Sequence, residues 1–196
     1  MEDEYIAPTF EEIFELSAKV AEEIIKQRLH VDAIVGISRG GLLPSRLLAD
    51  LLRVHCLEII KAELYSGPMD RAERPIIVRS APESIRGKRI PLVDDVADSG
   101  DTIKECINHL VSLGAIDVKN AVLYVKPWNK ADADIYGAET SSWIIFPWER
   151  METLERMLEK HGEEAYKLSN LPQKTLETIK RILYLKRLND EEKRIR

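Results

Sequence analysis

The apolar residues of this chain form short continuous runs that alternate with stretches of helical spacing. The runs predict buried strands at 33–37, 57–60, 76–78, 90–93 and 121–125. Apolar residues three or four positions apart predict helices at about 9–27, 43–51 and 103–113. Strands that alternate with helices are typical of an α/β domain, so we predict a central, mainly parallel sheet flanked by helices.

The alternation of strands and helices does not continue beyond Pro127. The stretch 128–150 is rich in aromatic residues and does not continue the pattern of apolar strand runs and helical spacing. We therefore interpret it as a small separate subdomain. From Met151 the pattern is helical again, and the tail from Leu171 is highly charged with an apolar stripe that we expect to dock on the body or on another subunit. The predicted organisation is therefore a core at 1–127, a small subdomain at 128–150 and a helical C-terminal extension at 151–196.

Composition narrows the class of protein. A chain of 196 residues with a formal net charge of −5 is long enough for a real core and has no basic excess, which argues against a nucleic acid as partner. Cys56 and Cys106 lie in apolar segments and suggest free thiols in a reducing compartment. We find no apolar run near the ~20 residues of a membrane span and no signal-peptide features. These features predict a cytoplasmic protein without a membrane partner.

The most informative segment runs from Ile90 to Thr102, with the sequence IPLVDDVADSGDT. An apolar run ends in two adjacent carboxylates, and a loop with Gly100 and two hydroxyls then leads into a helical pattern. The backbone N–H groups at the start of a helix and the flexibility of glycine suit a phosphate group. The adjacent acids suit sugar hydroxyls or a divalent metal. The alternative is a strand-to-helix turn whose acids only cap the helix.

A second loop of this kind follows the run 33–37. It contains Ser38, Arg39, Gly40 and Gly41, so exposed backbone amides and a guanidinium are available to a second anion. The alternative is an ordinary turn with a solvated arginine. Two anion-binding loops at two strand ends of one sheet would strengthen each other, because parallel strands bring their carboxyl ends to the same edge.

The aromatic stretch offers a possible site for a planar ring. The residues WIIFPWE, from Trp143 to Glu149, can form a flat apolar slot, and Lys126 can donate to a ring carbonyl. The alternative is that the aromatic residues form the core of the small subdomain, which we favour for Phe146 and Trp148. Separately, the polar stretch 65–75 has no periodicity, and we interpret it as a mobile loop.

These motifs resemble those of the type I phosphoribosyltransferases, and more narrowly the xanthine-guanine and hypoxanthine branch that salvages 6-oxopurines. VDDVADSGDT resembles the family's signature for 5-phosphoribosyl 1-diphosphate (PRPP), and VGISRGGLLP resembles its pyrophosphate loop. VKP followed by WIIFPWE resembles the hood that covers the base. The resemblance extends over about residues 30–150, and Ser99 stands where many members have threonine.

The resemblance implies a role for each matching residue. Asp98 would be the catalytic group that exchanges a proton with N7 of the base, and Asp95 would contact Mg²⁺. The residues implied in binding PRPP or the nucleotide are Ser38, Arg39, Gly40, Arg74, Asp94, Asp95, Val96, Ala97, Asp98, Ser99, Gly100, Asp101 and Thr102. The residues implied in binding the base are Lys126, Trp143 and Ile144.

The implied reaction joins a purine base to PRPP and releases a nucleoside 5′-monophosphate and pyrophosphate. The expected partners are thus PRPP and the purine base, with Mg²⁺ as cofactor, in a homodimer or homotetramer. The stretch 65–75 would act as a lid that excludes water. Two alternatives stay open: a non-catalytic regulator on the same fold that senses PRPP or a nucleotide, and a phosphoribosyltransferase for another base.

Overall fold

A six-stranded sheet organises the larger part of this protein in its computed structural model, which describes residues 5–65, 74–130 and 133–195. The strands are β1 (Tyr5–Ile6), β2 (Ile34–Ser38), β3 (Leu57–Tyr65), β4 (Arg74–Arg79), β5 (Arg89–Ala97), β6 (Asp117–Val125), β7 (Ile135–Glu139) and β8 (Trp143–Ile144). The helices are α1 (Phe10–Lys26), α2 (Leu42–Leu51), α3 (Asp101–Ser112), α4 (Arg150–His161), α5 (Ala165–Leu168) and α6 (Gln173–Ile195). Short 3₁₀ turns span Glu83–Ile85 and Gly162–Glu164.

The chain divides into two units. The larger unit is Glu11–Ser141, and the smaller unit combines Met1–Phe10 with Ser142–Arg196. In the larger unit the strand order is β4-β3-β2-β5-β6-β7, and every neighbouring pair is parallel except β3 and β4. The predicted fold class, a mainly parallel sheet flanked by helices, is therefore confirmed.

Alternating strand residues build a core on each face of the sheet. On one face, apolar side chains of β2 and β5 such as Val35 and Leu92 pack with Ile103, Cys106 and Leu110 of α3. The other core contains the residues Ile34 and Val93 of the sheet, Val20, Ala21 and Ile24 of α1, and Leu48 and Ala49 of α2. Helices on both faces explain why the central strands contain continuous apolar runs rather than an alternation of apolar and polar residues.

The hairpin of β3 and β4 differs from the sequence prediction. Both strands are longer than their apolar runs, and Tyr65 pairs with Arg74 in antiparallel register. None of the extra residues is fully buried and half of them are charged, so no continuous apolar pattern marks them. Of the predicted mobile loop 65–75, residues 66–73 lie outside the described residues.

The stretch 128–150 also differs from its prediction as a separate subdomain. Residues of β7 pair with β6 in parallel, so this part of the stretch extends the central sheet. Only Ile135 of the five β7 residues is buried. Gly137 lies where a Cβ atom would stand 2.9 Å from the Leu123 carbonyl oxygen, so a glycine permits the close approach. A strand with one buried residue and a glycine has no periodic signal.

In the smaller unit β1 and β8 pair in parallel, and three helices follow. The predicted helical C-terminal extension is confirmed. The apolar stripe of α6 packs inside this unit, in a core formed by Tyr5, Ile145, Leu154, Met157, Ala165, Leu171, Leu176 and Ile179. Phe146 is buried and stacks on Trp148 with 4.8 Å between ring centroids, which fits the interpretation of both residues as core. Across the described ranges, every helix is too short or too polar to cross a membrane.

Candidate active site

The carboxyl ends of β2, β5 and β6 form one edge of the larger unit. These strands are parallel neighbours, so the loops that follow them emerge side by side. The chain leaves β2 toward β3 on one side and leaves β5 toward β6 on the other. The sheet order therefore reverses between β2 and β5, and such a reversal leaves a crevice in which α/β proteins bind ligands.

The loop after β2 meets β5 at Gly40. A Cβ atom on Gly40 would collide with the Asp95 carboxylate, standing 2.6 Å from its Cγ atom. Asp95 itself is buried, with 7% of its surface exposed. A Cβ atom on Gly41 would collide with the Val93 carbonyl oxygen. The two glycines thus bring the β2 loop into direct contact with the acid-bearing end of β5, and the Ser38–Arg39 peptide in this loop is cis.

The two adjacent acids lie within β5, which continues to Ala97, rather than after it as predicted. The Asp95 N–H donates to the Asp94 carboxylate at 3.1 Å. Burial, followed by the charge of Asp95, raises the pKa of Asp94 well above its ordinary value, and hydrogen bonds from the Asp95 and Gly41 N–H groups oppose this rise only partly. Two carboxylates so close together favour a positive partner.

The loop after β5 has the geometry of an anion site. Gly100 precedes α3 with a φ of +87°, a left-handed conformation that glycine adopts without a side-chain clash. The Ser99 hydroxyl donates to the Asp101 carboxylate at 2.9 Å, and the Asp101 N–H donates to the Ser99 Oγ at 3.3 Å. The loop therefore directs its backbone into the N-terminal end of a twelve-residue helix, where the helix dipole is positive.

A segment after β6, Lys126–Lys130, lies across this loop, and we refer to it as the strap. The Ala97 carbonyl accepts the Lys126 N–H at 3.0 Å, and the Ser99 carbonyl accepts the Lys130 N–H at 3.2 Å. The Asp98 carbonyl accepts the side-chain amide of Asn129 at 2.9 Å. Each carbonyl of a planar trans peptide points away from the N–H of the next residue. The strap therefore turns the N–H groups of residues 98–100 to the opposite side of the loop.

The strap also brings three side chains together. The indole N–H of Trp128 donates to the Asp98 carboxylate at 2.6 Å. The Lys126 ammonium lies 5.6 Å from the centroid of the Trp128 ring. Lys126 is buried, and this burial lowers the pKa of its ammonium, while the charge of Asp98 acts in the opposite direction. A carboxylate and a desolvated cation thus stand beside the anion loop.

The structure brings most of the predicted site residues to this edge. Those in the larger unit are Ser38, Arg39, Gly40, Asp94, Asp95, Val96, Ala97, Asp98, Ser99, Gly100, Asp101, Thr102 and Lys126. Arg74 begins β4, and its pairing with Tyr65 puts it at the same edge of the sheet, on the outermost strand. Trp143 and Ile144 form β8 of the smaller unit and pair with β1.

Sequence reasoning missed the part played by Trp128 and Asn129. Both contact Asp98 across about thirty residues of sequence. The one feature of the sequence that could have indicated their role is their position two and three residues after Lys126, just beyond a predicted strand. Without the register of β5 against β6, nothing in that position indicates which loop the two side chains meet.

Comparison with known proteins adds to this geometry. Residues 9–151 match the model of the phosphoribosyl transferase domain. The chain belongs to this family. A xanthine-guanine phosphoribosyltransferase of Cereibacter sphaeroides is 33% identical over 122 residues, which cover 60% of this chain and 68% of the relative. The enzyme of the same name from Gluconobacter oxydans is 26% identical over 147 residues, covering 74% and 84%.

Solved structures agree with this family membership. A purine phosphoribosyltransferase from Pyrococcus horikoshii is 32% identical with a TM-score of 0.66, over 74% of this chain and 93% of that one. A hypothetical protein from Neisseria gonorrhoeae with bound ppGpp is 25% identical with a TM-score of 0.70, over 86% and 97%. The resemblance to type I phosphoribosyltransferases is therefore confirmed, together with their fold.

Proposed function

We propose that this phosphoribosyltransferase salvages a 6-oxopurine, namely xanthine, guanine or hypoxanthine. It transfers the 5-phosphoribosyl group of PRPP to the base and releases pyrophosphate and a nucleoside 5′-monophosphate. Family membership supports the transferase reaction, and relatives named xanthine-guanine and purine phosphoribosyltransferases support a purine as acceptor. We expect the enzyme to work in the cytoplasm as a homodimer or homotetramer.

The observation that carries the proposal is the contact of Trp128 with both Asp98 and Lys126 beside the anion loop. Trp128 contacts both residues, so a hydrogen-bond acceptor and a cation face one small region. A 6-oxopurine offers a proton at N7 and an acceptor at O6, and these two groups are adjacent on the ring. Asp98 accepts the N7 proton and Lys126 donates to O6. Adenine carries an amino donor at the same position, which the Lys126 ammonium cannot satisfy.

The proposed chemistry needs one bond to break and one to form. The bond from C1 of the ribose to pyrophosphate breaks early, and the lone pair of N9 then forms the bond to C1. The base becomes positively charged as N9 attacks, and Asp98 removes its N7 proton. Because the transition state resembles an oxocarbenium ion, the protein acts mainly by positioning and by electrostatic stabilisation.

The phosphate groups of PRPP are assigned to the two loops. The backbone N–H groups and hydroxyls from Asp98 to Thr102 are assigned to the 5′-phosphate, and the strap supports this assignment by turning the N–H groups of residues 98–100 away from itself. Arg39 and Gly40 contact the pyrophosphate, with Ser38 beside them and Arg74 reaching it from β4. Arg39 offsets the negative charge that grows on the departing group.

The donors at the end of β5 fit a magnesium ion. Asp95 offers a buried carboxylate beside the glycine of the pyrophosphate loop, and Asp94, which precedes it in β5, is assigned with it to the ribose hydroxyls. Within the described ranges we find no cluster of three metal-ligating side chains. Magnesium takes many of its oxygens from substrate and water, so one or two carboxylates suffice. When bound, it neutralises charge on the pyrophosphate, and Asp95 is the residue that would hold it.

The remaining assignments concern the hood. We propose that Trp143 and Ile144 contact the purine, with backbone groups reading its edge and Ile144 packing on the ring. By function, we propose that residues 1–127 form the core, residues 128–150 the hood and residues 151–196 the extension. The exception is β7, which is part of the central sheet. The proposed lid at 65–75 falls mainly on residues outside the described ranges.

A regulator that senses a nucleotide without catalysis is the second candidate. The Neisseria gonorrhoeae protein with bound ppGpp favours it, since that protein covers 86% of this chain. The presence of Asp98 and Lys126 together favours catalysis, because a sensor of phosphates alone needs neither an acceptor for N7 nor a donor for O6. A phosphoribosyltransferase for another base is the third candidate. Lys126, which we assign as the donor to O6, argues against it.

The deciding experiment measures pyrophosphate release from PRPP in the presence of Mg²⁺ and one base at a time. We expect turnover with at least one of xanthine, guanine and hypoxanthine, and none with adenine or uracil. Formation of the matching monophosphate checks that release is not hydrolysis of PRPP. Binding of PRPP without turnover of any base would support the regulator instead. Turnover of adenine or uracil alone would support the third candidate.

A further inference from the structure

Trp128 occupies an unusual position for a large aromatic residue. About half of its surface, 52%, is exposed, yet both ends of its side chain are engaged. Its N–H donates to Asp98 at 2.6 Å, and its ring lies 5.6 Å from the Lys126 ammonium. Because the exposed ring buries little apolar area, its contribution to the core is small. Its contacts with two charged groups are what distinguish it from Tyr136, which is also exposed.

The hydrogen bond selects one orientation of Asp98. Asp98 is an exposed loop residue, so its carboxylate would otherwise sample several rotamers. The indole N–H is a donor only, and it engages the Oδ1 atom. One oxygen of the carboxylate is thereby fixed, and the geometry of the group then directs the second oxygen, Oδ2. A proton acceptor must be held within hydrogen-bond reach of the proton that it removes.

The ring acts on Lys126 in a complementary way. Burial disfavours the charged ammonium, whereas the negative face of an aromatic ring within about 6 Å favours it. The backbone of Lys126 is tied to Ala97, so the side chain starts from a fixed point. A single indole thus contacts the two groups that are predicted to bind adjacent atoms of the base.

We propose that Trp128 is a positioning residue that sets the spacing between the Asp98 carboxylate and the Lys126 ammonium, and thereby selects for a base with a proton at N7 and an acceptor at O6. This inference rests on the proposed transfer to a 6-oxopurine. Trp128 acts through its two neighbours and not as a stacking surface for the base. The N–H group carries the effect on Asp98, and the ring carries the effect on Lys126.

The first test replaces Trp128 by phenylalanine, which keeps a ring and removes the N–H donor. We expect Trp128→Phe to lower kcat with the 6-oxopurine by about tenfold or more, as for loss of a hydrogen bond to a charged group. The KM for PRPP should not change, because the hydrogen bonds from the strap to the backbone carbonyls of residues 97–99 do not involve the Trp128 side chain. Tyr184→Phe, at an exposed position of α6 outside the hood, is the control and should leave kcat unchanged. If Trp128 were a stacking surface, Trp128→Phe would keep most of the activity and Trp128→Leu would lose it.

The second test asks whether Trp128 acts through Asp98. We expect Trp128→Phe to have little further effect on kcat in a protein that already carries Asp98→Asn, because the positioned proton acceptor is gone. An equal loss in both backgrounds would overturn the proposal, since the two residues would then act independently. Circular dichroism and PRPP binding of each variant check that the fold is intact.

The outcomes also separate this inference from the proposed function. Wild-type protein that turns over no purine would refute the function itself. Active wild-type protein with an equally active Trp128→Phe variant would refute only the role of Trp128. Activity lost together with PRPP binding would assign Trp128 to the shape of the phosphate loop, and would also contradict the inference.

Discussion

Gly40 and Asp95 are in direct contact, although Gly40 lies in the loop after β2 and Asp95 lies in β5. The absence of a side chain on Gly40 leaves the space that the Asp95 carboxylate occupies. Gly41 is equally crowded, but its neighbours are backbone atoms: the Val93 carbonyl oxygen, the Ile37 carbonyl oxygen at 2.7 Å and the Ile37 nitrogen at 2.9 Å. Gly40 therefore makes room for a side chain of the site, whereas Gly41 allows two backbone segments to approach each other.

Replacing each glycine by alanine should distinguish an effect on turnover from an effect on stability. In Gly40→Ala the Asp95 carboxylate must move, so we expect a loss of turnover of about 10²-fold from its misplacement, with little change in Tm. In Gly41→Ala the backbone must move, so we expect a loss of about 1–3 kcal/mol of stability. Thermal unfolding and the pyrophosphate assay measure both effects. Similar Tm losses in the two variants would contradict this assignment.

Asp98→Asn tests the proton transfer. The asparagine oxygen can still accept the indole N–H of Trp128, so the local structure should persist. Without a group that takes up the N7 proton, kcat should fall by about 10²-fold or more. PRPP binding, measured by calorimetry, should stay as in the wild type. Unchanged turnover would remove Asp98 from the mechanism.

Lys126→Ala tests recognition of the base. We expect the KM for the 6-oxopurine to rise far more than the KM for PRPP, because Lys126 is assigned to O6 and not to a phosphate. Lys130→Ala provides the control, since Lys130 is exposed and contributes its backbone N–H to Ser99. Equal losses for both substrates would show that Lys126 has another role.

The pair of Asp32 and Arg89 should govern part of the acid stability. Arg89 donates to the Asp32 carboxylate from Nε at 2.8 Å, from Nη2 at 3.1 Å and from its backbone N–H at 2.9 Å. These bonds hold the pKa of Asp32 well below its ordinary value of 3.8. A lowered carboxylate pKa means stabilisation that is complete above the unfolded pKa and is lost as the pH falls through the folded pKa.

Asp32→Asn should therefore lower Tm at pH 7, and its difference from the wild type should shrink below about pH 4. Glu22→Gln is the control. Glu22 forms an exposed pair with Lys26 on α1, at 3.3 Å, and such pairs contribute little. A difference in Tm that grows on acidification would contradict the sign of this argument.

The two thiols should differ in reactivity. Cys106 is buried, and burial together with the charges of Asp94 and Glu105 raises its pKa to about 12. Since the thiolate is the reactive form, Cys106 should resist alkylation in the folded protein. Cys56 is only partly buried and should react first with iodoacetamide at pH 8. Mass spectrometry of peptides, with and without denaturant, reads out the order.

The central strands and helices could be predicted because their buried positions require apolar residues at regular spacing. The apolar run from Ile90 to Val93 and the spacing from Ile103 to Leu110 reflect packing on the two faces of the sheet. The ends of the edge strand β4, beyond the predicted run 76–78, and the whole of β7 were not predicted. β4 has no fully buried residue, and β7 has one buried residue and a glycine, so burial leaves little pattern there.

The loop at Asp98–Thr102 and the start of α3 could be predicted because their sequence signal is local. The contact of Trp128 with Asp98 could not, because it depends on long-range register. Ala97 pairs with Val125 at the ends of β5 and β6, and this pairing brings the residues that follow each strand together. A shift of one residue would move Trp128 away from Asp98, and no short motif encodes that register.

The strap has a consequence for how this protein can change its substrate. The strap supplies Lys126, the proposed donor to O6 of the base. It also supplies the hydrogen bonds to the carbonyls of residues 97–99, at the start of the loop assigned to the phosphate. With the proposed site assignments, we therefore expect changes in the length of this segment to affect base preference and PRPP affinity together. An insertion or deletion there would alter both, whereas replacing only the Lys126 side chain leaves its backbone bond to Ala97 in place. New base specificities should accordingly arise by side-chain replacement at constant strap length.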